Sequence, residues 1–307
     1  MPSSRRTFLR TAALSAAAFA LADPLEAASA LRAFAADADA DRERLAAWLR
    51  ALRRDGLASA RAPLGRVVAR VGELAVGTPY RAHTLEEYLA AAGGTPAHEP
   101  VTSYLTVFDC VTLVESSLAI ARAAGKPEAG WDDFVHEIER MRYRGGVRAG
   151  YASRLHYFSE WISDNAARGL VRDLGPELGA TEDRRPLRFM GTHRSAYEAL
   201  KDDAVFRDIV AMERRLDAQP RHLVPTARIP AVLDRIQTGD VLGFACSIDG
   251  LDCTHTGLAY RDPRGVMRVL HAPLSGGQVQ ISRGTLPQYV AALRSGTGIL
   301  IARPLRG

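Results

Sequence analysis

Cysteine is scarce in this 307-residue sequence, with only Cys110, Cys246 and Cys253. Three is an odd number, so at most one internal disulfide forms and at least one thiol is left over, which excludes a disulfide-stapled scaffold. Lysine is scarcer still: apart from Lys126 and Lys201, every basic side chain is an arginine. We read that skew as base composition in the source and not as function. No apolar run is long enough to act as a permanent bilayer anchor. There is no H-E-x-x-H and no paired C-x-x-C, so the sequence offers no ligand set for metal-dependent hydrolysis and implies no cofactor. A phosphate-binding glycine loop, a G-x-S-x-G elbow, internal repeats and long low-complexity segments are missing as well.

What is present is ordinary for a globular protein. Apolar residues make up 47% and charged residues 24%, which rules out a mostly disordered chain and a polytopic membrane protein. The formal net charge of +5 hints at nucleic acid, but the N-terminus removes that hint. Arg5 and Arg6 are followed by Phe8-Leu9 and an alanine-rich run from Thr11 to Ala22, a pattern that resembles a twin-arginine export signal. Small residues at 20–22 or 28–30 suit a signal peptidase. Removing residues 1–22 takes away three arginines and no acids, leaving 37 basic and 35 acidic residues. The basicity therefore belongs mainly to targeting, and no nucleic-acid partner is expected. Export of this kind delivers a folded protein to the periplasm or beyond, where cell-wall polymers become the natural substrates and no stable membrane anchor is needed.

Along the chain, residues 1–30 read as signal and leader and 31–307 as one domain, with a helical lobe over about 126–225. Residues 24–40 read as a loose leader. Helical spacing follows over about 41–54, 64–76, 84–92, 131–142, 153–168 and 195–217. Asp109 is placed to cap a helix running to about Ala124, with Val111, Val114, Leu118 and Ala121 as its buried stripe and Gly125 and Pro127 beyond its end. The C-terminal third changes period. Strands over 241–246, 254–260 and 266–272 are joined by turns at Asp249-Gly250 and Asp262-Pro263-Arg264-Gly265, then come a short strand at 279–281, a helix near 285–294 and a last strand at 298–302. Helices first and an antiparallel meander afterwards give an α+β fold.

The chemistry concentrates in two places. Cys110 sits in the first helical turn, where unpaired N–H groups and the helix dipole favour a thiolate and lower the thiol pKa. His255 and His271 lie on neighbouring strands and can share one face, His255 as a base and His271 as the group that orients it. Cys246 and Cys253 lie symmetrically about Asp249-Gly250. A two-residue turn would set them at a widely spaced pair, so a disulfide between them stays open.

These residues carry a resemblance. Gly77-Thr78-Pro79-Tyr80, Asp109-Cys110 with Leu113-Val114, and then His255 and His271 resemble the NlpC-type papain-like cysteine peptidases. Their motif usually reads D-C-S-G-L-V, where this chain reads D-C-V-T-L-V-E. That departure, together with Tyr143-Arg144-Gly145-Gly146 and the run from Gly150 to Phe158, resembles the N-acetylmuramoyl-L-alanine amidase-like family of bacterial envelope proteins, from about residue 65 to the end. The resemblance implies a nucleophile helix packed on an antiparallel sheet. It also implies hydrolysis of the amide between muramic acid and L-alanine in peptidoglycan or its fragments, with Cys110 as nucleophile, His255 as base, His271 as orienter and Tyr80 as a hydroxyl donor. Under it, residues 150–158 become a substrate wall. Arg154 would pair with a stem-peptide carboxylate, and Tyr151, His156 or Tyr157 would face sugar. The competing reading makes Leu155, Phe158 and Trp161 helix core and Arg154 an internal ion pair. Glu115 reads as a structural hydrogen-bond partner. Two other functions stay open: a stem-peptide endopeptidase, and a catalytically idle wall-binding module.

Overall fold

The computed structural model describes residues 24–306 apart from residue 92, so the twin-arginine segment lies outside the described residues. The first helix, α1, runs from Pro24 to Arg54. The loose leader expected over 24–40 is therefore corrected to helix, consistent with alanine's helix propensity. Leu45, Trp48, Leu49 and Leu52 are buried on it, as their spacing implies. Next come α2 (Leu64–Ala75), α3 (Cys110–Ala123), α4 (Trp131–Arg142) and α5 (Phe158–Ala167). A 3₁₀ stretch, Thr84–Ala90, stands where a short helix was expected. The helix expected from 153 begins only at Phe158, and the one expected from 195 is α6 (Asp203–Leu216), preceded by single turns.

The sheet is antiparallel in every strand pairing. Its strands are β1 (Val171–Asp173), β2 (Thr181–Asp183), β3 (Arg221–Pro225), β4 (Val241–Cys246), β5 (Cys253–Arg261), β6 (Met267–His271), β7 (Gln280–Ile281) and β8 (Gly296–Pro304). They lie in the order β2-β3-β8-β4-β5-β6-β7, with β1 also paired to β8. The first three strands come from the stretch expected to be a helical lobe. The C-terminal helix α7 (Leu286–Ala291) is capped by Thr285, whose hydroxyl accepts the Gln288 N–H.

Strand β4 is buried along its whole length and alternates between two cores. Val241 and Ala245 face a core that also holds Val67, Val71, Leu113, Leu118, Phe134, Trp161, Leu258 and Leu270, which packs α2 to α5 on one side of the sheet. Leu242 and Phe244 face a second core with Ile229, Val269, Leu286, Val290, Ile299 and Ile301, which packs α7 on the other side. A third cluster, Tyr151, Tyr157, Met190, Leu200, Ile209 and Met212, fills the lobe built around α6. The arrangement is α+β, with Cys110 at the start of α3 and His255 and His271 on the neighbouring strands β5 and β6.

Candidate active site

Cys110 opens α3 behind a reciprocal cap. Asp109 Oδ1 accepts the Thr112 N–H at 2.7 Å, and the Thr112 hydroxyl accepts the Asp109 N–H at 2.9 Å. The first-turn amides of Cys110 and Val111 have no intrahelical partner, as at any helix start. The segment leading into the cap is clamped from α1. Asp41 Oδ1 accepts the N–H groups of Leu105 and Thr106 at 2.7 and 2.8 Å, and Arg44 donates to Leu105 O and Thr78 Oγ1, both at 3.1 Å. Tyr80 is strung between this segment and the loop beyond His271. Its N–H donates to Gly277 O at 2.8 Å, while the flanking Pro79 O and Arg81 N–H bond to Phe108 at 3.0 Å each.

Thr256, whose hydroxyl is buried without a hydrogen-bond partner among the described residues, favours a thiolate at the Cys110 sulfur, as does the N–H of Cys110 itself. Burial and the charge of Asp109 outweigh them and push the thiol up to about 12. The lowered pKa expected from the helix start is thus corrected: the first-turn N–H acts in the expected sense but is overruled by desolvation. Asp109 is itself raised, by burial first, against the lowering effect of its bonds from Thr112.

The two histidines meet. His255 Nε2 and His271 Nδ1 are 2.8 Å apart, with the rings edge to face at 5.1 Å between centroids. Glycine at position 257 makes this approach feasible. The β5–β6 register (Leu258 opposite Leu270) sets Gly257 across from His271, and a Cβ there would lie 3.1 Å from His271 Cβ and 3.0 Å from Leu270 O. On its other face the His255 ring stacks on Phe244 at 5.5 Å. Burial and the neighbouring His271 lower His255 to about 3, and burial lowers His271 to about 4. Both rings are neutral at neutral pH. The single side-chain hydrogen bond of His255 among the described residues runs to His271; its Nδ1 is uncommitted and makes no hydrogen bond to the Cys110 sulfur.

Sequence reasoning missed Tyr289 on α7. Its hydroxyl lies 3.3 Å from His271 Nδ1, and its ring meets His271 edge to face at 4.9 Å. The Tyr289 phenol is pushed up to about 12, and that of Tyr80 is raised too, in each case by burial first and by the Cys110 charge second. Both therefore stay protonated and sit within electrostatic reach of the sulfur. A lone tyrosine in a short helix carries no sequence signal for such a place.

An N-acetylmuramoyl-L-alanine amidase-like family model matches residues 70–299. The chain belongs to this family. Among solved structures it is similar to an N-acetylmuramoyl-L-alanine amidase from Bacteroides uniformis (28% identity, TM-score 0.72, covering 79% of this chain and 99% of that one). It is also similar to a Bacteroides fragilis protein provisionally named a xylanase (31% identity, TM-score 0.69, covering 76% and 99%). A Legionella pneumophila protein at 19% identity shares the fold (TM-score 0.64, covering 88% and 96%). No curated protein matches the chain.

In this amidase-like chain the run from Gly150 to Phe158 is not an open wall, and that expectation is corrected. Arg154 is 5% exposed, ion-paired to Glu86 and, at 3.6 Å, to Glu99, and its guanidinium covers the Tyr151 ring. Tyr151 is buried. His156 Nε2 bonds to Tyr151 O at 2.8 Å, and burial lowers the pKa of this imidazole well below the usual histidine range. The buried Tyr157 donates to Glu213 at 2.6 Å. Arg154, His156 and Tyr157 thus have internal partners that brace the lobe. Glu115 is a structural partner: it accepts from Arg142 Nε at 2.8 Å and from Trp161 Nε1 at 3.2 Å.

Cys110, Cys246 and Cys253 are free thiols. The two-residue turn expected between Cys246 and Cys253 is replaced by a wider loop. A β-bulge shifts the register so that Cys253 pairs with Ala245 and not with Cys246. Among the described residues, no group of three or more His, Cys, Asp or Glu side chains is placed to hold a metal ion.

Proposed function

We propose that this chain is an exported cysteine amidase that hydrolyses the N-acetylmuramoyl–L-alanine bond of peptidoglycan or its fragments. Family membership supports the amidase chemistry and the substrate class. The observation behind the cysteine mechanism is a capped helix-start Cys110 whose charge reaches Tyr80 and Tyr289, with Tyr289 in turn beside the His255–His271 pair. We assign the arrangement to the NlpC-type papain-like class on its order: nucleophile on a helix start, base on one strand, orienter on the next.

In this reading the resting pair is a neutral thiol and a neutral imidazole. His255 takes the thiol proton through Nδ1 as sulfur attacks the lactyl carbonyl carbon, and returns it to the departing amine of L-alanine. The thioester left on Cys110 is released by water, with His255 again as base. The Cys110 N–H and the Tyr80 hydroxyl are the donors for the oxyanion. His271 accepts the His255 Nε2–H and so keeps the lone pair on Nδ1. Nearby carboxylates are committed elsewhere, Asp109 to its cap and Glu115 to Arg142. A paired-carboxylate glycosidase mechanism therefore has no support in this site.

The deciding experiment digests muropeptides with wild type and Cys110→Ala side by side and weighs the products. Release of intact stem peptide beginning with L-alanine, lost in the variant, is expected; an L-alanyl stub retained on the sugar would sink the amidase assignment in favour of a stem-peptide endopeptidase. Equal activity of both proteins would point to an idle wall-binding module. Export is tested by cell fractionation of the full chain and of a variant with Arg5 and Arg6 changed to lysine, which should stay inside the cell.

A further inference from the structure

His271 Nδ1 has two neighbours and one lone pair. His255 Nε2 lies 2.8 Å away and the Tyr289 hydroxyl 3.3 Å away. The other ring nitrogen, His271 Nε2, is buried with no hydrogen-bond partner among the described residues. Two neutral proton arrangements are open to such a pair. In one, His271 carries its proton on Nε2 and accepts at Nδ1, so His255 donates from Nε2 and keeps a bare Nδ1. In the other, His271 donates from Nδ1, so His255 must accept at Nε2 and carry its own proton on Nδ1. Only the first leaves His255 a nitrogen that can take the thiol proton.

The imidazole pair alone does not favour the first arrangement. Each arrangement makes one bond between the rings, and the first leaves a buried N–H without an acceptor, which is the costlier orphan. Tyr289 alters that balance. Its protonated hydroxyl donates to a bare Nδ1 and could only accept from a protonated one, and a phenol is a stronger donor than acceptor, so the bond to the bare nitrogen is the better of the two. Its ring edge, packed against Phe244 at 5.1 Å and against His271 at 4.9 Å, holds the hydroxyl in place. We infer that Tyr289 is a positioning residue whose hydroxyl selects the tautomer of the histidine pair in which His255 can act as a base. The inference rests on the cysteine-amidase reading for its catalytic consequence and on geometry alone for the tautomer.

The test uses the whole protein labelled with ¹⁵N-histidine, in which long-range nitrogen–proton correlations separate protonated from bare ring nitrogens. Wild type is expected to show His255 and His271 both as Nε2–H tautomers. Tyr289→Phe keeps the ring and removes one hydrogen bond. It should bring up a population with protonated Nδ1 on both rings and lower kcat about tenfold with KM little changed. A protonated His271 Nδ1 in wild type overturns the inference by itself. So does a Tyr289→Phe protein whose tautomers match wild type, whatever its kcat, or whose kcat stays within about twofold. If wild type fails to cut muropeptides, the amidase reading falls while the tautomer is still decided by the spectrum. If Tyr289→Phe fails to fold, the wild-type spectrum decides alone.

Discussion

Acidification is the perturbation that most directly probes the site. Burial and mutual contact lower His255 to about 3 and His271 to about 4. An ordinary histidine near 6.5 would be about 3% unprotonated at about pH 5, whereas one near 4 is about 90% unprotonated. The site should therefore keep most of its kcat/KM at pH 5, roughly thirtyfold more than an unperturbed imidazole allows, and lose it only below about pH 4. Stability moves over the same window. Between about 6.5 and 4 the unfolded chain holds protons on these imidazoles that the native state does not, so stability falls as pH falls. At pH 4 the loss is on the order of 3 kcal/mol per histidine. Initial rates on muropeptides should be read beside circular dichroism, so that unfolding is not mistaken for protonation. The thiol adds a second arm. With Cys110 near 12, the ultraviolet thiolate band should be missing from wild type relative to Cys110→Ser at neutral pH. Collapse of kcat/KM through pH 6.5 in a folded protein, or a thiolate band at pH 7, would refute the neutral-pair picture.

Three structural substitutions have defined outcomes. Gly257→Ala places a methyl 3.1 Å from His271 Cβ and 3.0 Å from Leu270 O. It should cost about 1–3 kcal/mol in denaturant titration and lower kcat by displacing the ring. Glu115→Gln leaves the Arg142 guanidinium buried without its carboxylate, for an expected loss of about 3–5 kcal/mol. Pairing it with Arg142→Met should recover much of that, and an additive double mutant would contradict the coupling. Arg154→Ala is expected to lower thermal stability while KM stays near wild type; a raised KM with unchanged stability would restore the substrate-wall reading.

Much of the site was legible because its chemistry is written in local patterns. Asp before Cys at a helix start, and a T-H-T-G strand next to L-H-A, single out Cys110, His255 and His271, the proposed nucleophile and relay, without any knowledge of packing. The α+β order was legible for the same reason, since the period changes near residue 240. Strands β1, β2 and β3 were not. They are three to five residues long and carry Arg172, Glu182, Asp183, Arg221 and His222, and they take strand form by pairing with one another and with the long β8. The run from Gly150 to Phe158 misled in a different way. Tyr, Arg and His in one stretch are the side chains that bind sugars and carboxylates. They are also those that satisfy the half-buried Glu86 and the buried Glu99 and Glu213, and residue type alone does not separate the two.

The thiol pKa marks the limit of positional rules. Cys110 has the helix start, the free first-turn amides and the Thr256 donors that lower a thiol pKa. The same fold packs that turn against β5 and places the Asp109 carboxylate beside the sulfur, because a carboxylate is also what caps the helix well. Asp109 thus works in two directions: it fixes the helix start that carries Cys110, the proposed nucleophile, and its charge opposes ionisation of that thiol. Asparagine is nearly as good a cap without the charge. Asp109→Asn should accordingly keep the melting temperature close to wild type while raising the rate of thiol alkylation at fixed pH, because more of Cys110 is ionised. Asp109→Ala should instead lose about 1 kcal/mol of stability. Alkylation of Asp109→Asn no faster than wild type would show that the Asp109 charge does not govern the thiol, and would leave desolvation as the whole cause of its high pKa.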